Sequence, residues 1–426
     1  MAESLLEMII GAGMAMLLLC VGFYLTWKLR AVQLRRFLSS FHGICERKRG
    51  GVSTFSAICT NLGATVGIGN VLGVASGLSV GGPGSLLWML IAAFFGMAIR
   101  YAENYLGTVF RKQEDGVAFG GPFFYMERFV PRTGRLFGRC FAAICLLGSL
   151  FGMGAALQAR SIREVWSDQF ANDPSLLFLL SAALLVFLAP VLLGGSRRIA
   201  KASEQIVPFM TLGYIICCVW ILFRYRTVLP SVLLEIVRSG LSFRASAGAS
   251  VGLFLRQTVL TGIRRGLFSN EAGTGLGAIA AASAGETDPE TAGDSGILVT
   301  FLDTFVICLL TGLCLLVTQQ NEPYAAWRCG IPWAGEAAPL LLKIFLTLFA
   351  LTSIFGSGFY AESCLRYLSG GQELLRTYQI VCLFCVGIGM ILPLELLWRS
   401  ADFLNAALVI PNLTALFFAA KRNRFL

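Results

Sequence analysis

Charge is scarce in this sequence and histidine nearly absent: Asp, Glu, Lys and Arg make up 14% of 426 residues, and His42 is the one histidine. Soluble domains carry roughly 25% charged residues, so the chain lacks the polar surface that a water-facing globule of this size needs. A single histidine excludes His-rich metal centres and the HExxH motif. Any His-based triad would have to use His42, which lies in a basic segment. No GxxxxGK[ST] phosphate loop occurs, which sets ATP-driven pumping aside. No ten-residue alternation marks a barrel strand. The first apolar run follows Glu3 and Glu7 instead of a basic region, so no cleaved signal peptide is expected and the first helix should stay.

Apolar residues are what the chain has instead, at 56% of the total. Stretches such as 176–193 and 209–223 approach the length that spans a bilayer. Backbone groups inside lipid must bond within their own segment, so helices are expected. The chain reads as one all-α polytopic membrane domain over 1–426, with about eleven spans near 5–27, 54–79, 84–110, 138–160, 175–194, 204–223, 248–282, 293–318, 338–364, 378–394 and 401–419. The formal charge of +10 could suggest a nucleic-acid partner. Most Lys and Arg, however, fall in alternate interhelical segments, the positive-inside pattern of a cell-membrane protein with its N-terminus outside and its C-terminus in the cytoplasm. The acidic segment 283–292 and the arginines of 224–247 run against that pattern. Thirteen cysteines are scattered without a disulfide framework. Cys382 and Cys385 read as small apolar packing residues.

Setting helix 5–27 aside as extra leaves ten spans, divisible into repeats over 54–223 and 248–419. The first helix of each is interrupted by glycine: Ala64-Thr65-Val66-Gly67-Ile68-Gly69-Asn70 and Phe268-Ser269-Asn270-Glu271-Ala272-Gly273-Thr274-Gly275. Five is odd, so the second half enters the membrane inverted. Matching broken helices in inverted halves point to a transporter's binding site.

A zwitterion buried in a membrane needs N–H donors for its carboxylate, which a helix N-terminus supplies. Its ammonium and an accompanying cation need oxygens. A helix broken at midplane offers both. Gly67 and Gly69 ease an unwound backbone, and Thr65 and Asn70 add side-chain oxygen, although Gly69, Gly73 and Gly77 also form a ridge suited to plain helix packing. Ser269, Asn270 and Thr274 enrich the second break. Glu271 is an intramembrane carboxylate and a functional candidate by default. Its expected partner is Arg265 or Arg264, in a pair that either braces the break or serves the substrate. Asp303, beside Thr304, sits near an ion or is a satisfied structural carboxylate. Thr352 and Ser353 offer adjacent hydroxyls to a small cation, or bond back to their own helix. Gln158 faces the membrane interior as a candidate substrate contact. Arg100 and Glu103, three residues apart, read as a snorkelling pair near a cytoplasmic end and not as a site.

These residues resemble the alanine or glycine:cation symporter family of amino acid carrier proteins. The similarity runs through Gly63–Asn70 (GATVGIGN), Gly81-Gly82-Pro83-Gly84, Phe94–Met97, Tyr101-Ala102-Glu103, Gly120-Gly121-Pro122, Arg198–Lys201, Val207–Met210, Arg265–Gly273 (RGLFSNEAG), Asp303-Thr304, Asp402 to Asn405 and Ile410–Leu413. It covers nearly the whole chain in order. The resemblance implies a sodium-coupled carrier of the LeuT-type five-plus-five inverted-repeat fold. The candidate substrate contacts are Thr65, Gly67, Ile68, Gly69, Asn70, Gln158, Phe268, Ser269, Asn270 and Gly273. One sodium would lie at Thr65 and Asn70, another between the carbonyls of Gly63 and Val66 and the hydroxyls of Thr352 and Ser353. Departures from the family pattern are Ile68 for Thr, Asn61 for Ala, Arg160 for Asn, Leu276-Gly277-Ala278 for Ser-Ala-Pro, and Ser357 for Trp.

The expected function is sodium-coupled import of a small neutral amino acid such as alanine or glycine by alternating access, with Arg265, Glu271 and Asp303 as structural or coupling charges. No cofactor is expected beyond Na+ as coupling ion. The alternatives are proton coupling through Glu271 or Asp303, and a non-transporting amino acid sensor. An enzyme is set aside because no nucleophile–base pair can be named, and nucleic acid is not an expected partner.

Overall fold

The computed structural model describes residues 2–44, 52–114, 117–167, 173–241, 249–284, 288–370 and 374–422. Residue 248, the expected start of the second repeat, and the basic cluster at 47–49 lie outside them. The longer helices are α1 (Ala2–Lys28), α2 (Thr54–Thr65), α3 (Val74–Gly81), α4 (Gly84–Val109), α5 (Pro122–Phe129), α6 (Gly134–Leu150), α7 (Ala155–Val165), α8 (Pro174–Leu192), α9 (Gly195–Arg224), α10 (Leu229–Leu241), α11 (Ala249–Asn270), α12 (Leu276–Ala282), α13 (Pro289–Thr300), α14 (Leu309–Thr318), α15 (Pro323–Gly330), α16 (Ala337–Ser369), α17 (Leu375–Gly389) and α18 (Leu394–Lys421). An antiparallel hairpin of β1 (Lys112–Glu114) and β2 (Val117–Phe119) joins α4 to α5.

Local chemistry sets the helix ends. Ser53 accepts the Ser56 N–H at 3.0 Å to cap α2, and Asp288 accepts the Thr291 N–H at 2.9 Å to cap α13, where Pro289 takes a position that needs no donor. Among the described residues, six helical segments are long and apolar enough to cross a membrane: α4, α6–α7, α9, α13–α14, α16 and α18. The bent pair α2–α3 makes a seventh. The expected segments 5–27, 175–194 and 378–394 are helical, with shorter apolar stretches at Ala12–Lys28, Phe178–Leu192 and Leu375–Gly389 among the described residues, and 248–282 is the broken pair α11–α12. Two starts also move: α9 begins at Gly195, not 204, and α18 at Leu394, not 401.

Helix α4 is the central strut. It packs along α11 and α13, and touches α12, α1 and α10 as well. Small residues permit this closeness, as where Gly266 of α11 sits with its Cβ direction 2.9 Å from the Met89 carbonyl. On the other side α16 packs against α2, α6, α7 and α9. Large apolar side chains remain outside, including Phe178, Val186, Phe209, Phe384 and Phe403. Spread over several helices, such a surface suits lipid and would aggregate in water. At one end, Arg36 forks onto Asp294 at 2.7 and 2.9 Å and reaches Glu290 at 2.6 Å, tying the segment after α1 to the start of α13.

Candidate substrate and ion site

Both glycine-interrupted segments are broken. Helix α2 ends at Thr65, Val66 turns extended (φ −75°, ψ 92°), and a π-helical turn over Gly69–Gly73 leads into α3 at 51° to α2. Asn70 closes this break by accepting the Gly67 N–H on its Oδ1 at 3.0 Å. Helix α11 ends at Asn270, and the chain reaches α12 through three left-handed residues: Glu271 (φ 51°), Gly273 (φ 89°) and Gly275 (φ 80°). Glycine makes two of these free of Cβ strain, and Glu271 bears it.

The two breaks meet. Asn70 Nδ2 donates to Ser269 Oγ at 2.9 Å and to Asp303 Oδ1 at 2.6 Å, while Ser269 Oγ donates to Asp303 Oδ2 at 2.6 Å. Thr304 Oγ1 adds a third donor to Asp303 at 2.9 Å and accepts from Asn270 Nδ2 at 3.2 Å. Asp303 itself lies in a π-helical stretch, Phe301–Cys308, between α13 and α14. Such irregular turns let one side chain be aimed away from the helical register.

Beside this knot is a small cavity, partly open to the outside. Thr65, Gly67, Ile68, Gly69, Asn70, Gln158, Phe268 and Ser269 line it, as do Glu271 and Ser353. Two expected contacts do not: Asn270 turns toward Thr304 and Gly96 of α4, and the Cβ direction of Gly273 faces Leu18 and Leu413. Ile68 presents an apolar wall where a hydroxyl is usual.

Gly63, Val66 and Thr352 lie off the cavity, on the α16 side of the first break for two of them. Ser353 Oγ stands 3.3 Å from the Gly63 carbonyl, and the Gly63 Cβ direction points at Thr352, 3.1 Å from its Cβ. Both hydroxyls also donate to their own helix, Thr352 to Phe349 and Ser353 to Phe349, each at 3.0 Å. Thr65 likewise bonds back to Leu62 at 3.1 Å.

The charges correct two expectations. Glu271 does not pair with Arg265, which instead donates to Ser76 at 3.2 Å, lies along Gly73 and Gly77, and feels the carboxylate of Asp402. The left-handed turn at 271 sends Glu271 to the other side of the break, where Arg100 and Asp303 are the charges acting on it. Arg100 and Glu103 are not snorkelling: both side chains are wholly buried, with Nη1 and Oε2 3.9 Å apart. Arg100 Nη2 donates to Asn61 Oδ1 at 2.7 Å. Glu103 Oε1 accepts from the Gly275 N–H at 3.1 Å and from Asn412 Nδ2 at 2.7 Å, and Asn412 also donates to the Gly273 carbonyl at 2.8 Å. This second network grips the far side of the second break. Asn61, where alanine is common, is thus the partner that a buried arginine requires.

Sequence reading also missed a third interruption. The span expected over 138–160 breaks at 151–154, between α6 and α7. There Gln158 Nε2 donates to the Met153 carbonyl at 3.1 Å, and Met153, Leu157 and Ser161 join the lining. Gly148, Gly152 and Gly154 were the available signal. Trp398 of α18 completes the wall, its ring 5.4 Å from that of Phe268, and nothing in its sequence context marked it. Arg160 stays out, donating to the Leu392 carbonyl at 3.1 Å and to Glu164 at 2.9 Å, and Ser357 donates to Ile354 within its own helix.

Comparison with known proteins matches the sodium:alanine symporter family over residues 1–423. The chain belongs to this family. The sodium/alanine symporter AgcS of Methanococcus maripaludis is 35% identical, over 95% of this chain and 91% of that one. The "Probable sodium/glutamine symporter GlnT" of Bacillus subtilis is 30% identical, over 98% and 89%. The amino-acid carrier protein AlsT of the same organism is 30% identical, over 93% and 84%. Membership makes the protein a multi-pass membrane symporter of the amino acid transport class, in keeping with the family resemblance carried by the two glycine-broken motifs.

Proposed function

We propose that the protein is a sodium-coupled symporter that imports a small neutral amino acid, alanine or glycine in the first place, by alternating access. The observation that carries this reading is the junction of two broken helices at one cavity, joined through Asn70, Ser269 and Asp303. Unwound backbone between half-helices offers N–H donors to a carboxylate and carbonyls to a cation. Among the described residues, Glu271 is the one Asp, Glu, Lys or Arg on the cavity lining, which suits a zwitterion whose side chain is uncharged. One sodium is assigned to Thr65 and Asn70 beside the carboxylate, the other to the Gly63 and Val66 carbonyls with Thr352 and Ser353. We further assign eleven crossings in a five-plus-five inverted repeat, over 54–223 and 248–419, behind one extra helix. The protein would sit in the cell membrane with its N-terminus outside. An inward potential then drives sodium with about 2.3 kcal/mol per charge per 100 mV.

The test is uptake of labelled alanine, glycine and glutamine into proteoliposomes under an imposed sodium gradient. Uptake unchanged without sodium refutes sodium coupling. Replacement Ser353→Ala removes one oxygen beside Gly63 and is expected to raise the sodium concentration for half-maximal uptake about tenfold, equivalent to about 1.4 kcal/mol, while leaving the alanine concentration for half-maximal uptake at saturating sodium within about threefold. An unchanged sodium dependence takes Ser353 out of the ion site. Proton coupling is the second reading, favoured by the buried, cavity-lining carboxylate of Glu271. Sodium-free uptake driven by a pH gradient would select it.

A further inference from the structure

The cavity has an unbalanced hydrogen-bond inventory. Two buried side-chain atoms on its lining take no hydrogen bond, Gln158 Oε1 and Glu271 Oε2. Both are oxygens, and both only accept. No buried donor on the lining is left in the same state among the described residues. Buried polar groups are almost always satisfied in native proteins, so the cavity is built for a guest that brings N–H or O–H donors and a positive charge.

The positions of both oxygens are held by backbone. Gln158 spends its amide N–H on the Met153 carbonyl, which turns the carbonyl end inward beside Gly67, whose Cβ direction lies 3.9 Å from Oε1. Glu271 is fixed by its own turn: the Thr274 N–H and hydroxyl both donate to the Glu271 carbonyl, at 3.2 and 2.7 Å. The charged and titratable groups around its carboxylate are Arg100 on α4, Asp303 in the π-helical stretch and Tyr360 on α16. Arg100 donates through Nη2 to Asn61 at 2.7 Å and stands 3.9 Å from Glu103; it acts on Glu271 through its charge but makes no ion pair with it. Asp303 already accepts three hydrogen bonds. Glu271 is therefore a buried carboxylate on the cavity lining whose Oε2 takes no hydrogen bond and which makes no ion pair.

We infer that Glu271 is the counter-charge for the substrate's ammonium group, with Gln158 Oε1 as a second acceptor. The inference rests on the reading of this cavity as the substrate site and deepens it. An ammonium offers three donors, enough for both oxygens, and hydrogen bonds from a cation to a carboxylate are among the stronger ones; the desolvation of Glu271 is already met by the fold. The carboxylate end of the guest is left to the backbone donors of the breaks. The amino group becomes the obligatory feature of the substrate and the side chain a secondary one. Lactate, which keeps the carboxylate and methyl of alanine but replaces the ammonium with a hydroxyl, cannot neutralise Glu271.

The test is equilibrium binding of labelled alanine to the purified full-length protein in saturating sodium, with competition by glycine, N-methylglycine, N,N-dimethylglycine and lactate. Glycine is expected to compete well, each methyl group on nitrogen to weaken competition, and lactate to be at least 100-fold poorer than alanine. Glu271→Gln is expected to weaken alanine binding at least tenfold and to narrow the alanine-to-lactate ratio; Gln158→Leu should weaken it severalfold. Wild-type protein that binds lactate as well as alanine overturns the inference, as does Glu271→Gln protein that binds alanine normally. The competition series on unaltered protein decides the question even where a variant fails to fold. Binding of alanine without discrimination against lactate sinks this role of Glu271 and leaves the carrier reading standing, whereas binding of no amino acid at all sinks both.

Discussion

Asp303→Ala is expected to abolish sodium-dependent uptake, with initial rates at least about 100-fold below wild type at equal amounts of membrane-inserted protein. Asp303 is fully buried and accepts from Asn70 on the first break, Ser269 on the second and Thr304 beside it. Hydrogen bonds to a charged group contribute about 1.5–3 kcal/mol each, and three donors lose their acceptor together. More is lost than stability. Asn70 also closes the first break through the Gly67 N–H, so its release frees the backbone that faces the cavity. Asp303→Asn keeps one acceptor oxygen and should fall between wild type and alanine. An alanine variant transporting within threefold of wild type would show that the breaks hold their geometry without this carboxylate.

Arg100→Gln is expected to be the most destabilising single change in the chain. The guanidinium is buried between Asn61 and Glu103 and abuts Gly277, whose missing side chain makes room for it. Removing one partner of a buried charge pair typically costs about 3–5 kcal/mol, because the other charge is stranded. Here the stranded group is Glu103, which holds Gly275 and, through Asn412, Gly273. The measurement is thermal melting of the detergent-solubilised protein, with a large fall expected for Arg100→Gln and partial recovery when Glu103→Gln is added. Equal melting of single and double variants would show no coupling between them. Gly277→Ala tests the same contact sterically: its Cβ falls on the guanidinium and should lower the melting temperature in the same direction.

How much of this was legible beforehand differs residue by residue. The breaks at Gly67–Asn70 and at Glu271–Gly275 were readable because glycine and polar residues inside an apolar run have few other uses in lipid. The partner of Glu271 was not. Arg264 and Arg265 precede it by less than two helical turns, which makes them obvious partners only if the helix continues; the left-handed residue at 271 reverses the direction in which the side chain leaves. Arg100 and Glu103 were misjudged for a related reason. A spacing of three places two charges on one helix face, but says nothing about what other helix covers that face, and here α12 and α2 do. The break after Phe151 was written in Gly148, Gly152 and Gly154, a weaker signal because glycine also serves simple packing, as Gly73 and Gly77 do around Arg265.

Sequence by itself determined the solvent, the helical character and the class of the protein. A chain with this little charge and this much apolar surface can only satisfy its backbone as helices in lipid, and two polar, glycine-rich interruptions then have to face something polar. Tertiary structure alone decided which groups those interruptions face. Asp303 meets Asn70 across 233 positions of chain and Asn412 meets Glu103 across 309, and pairings at such separations follow from how whole helices pack, a property of shape that no local pattern of residues encodes.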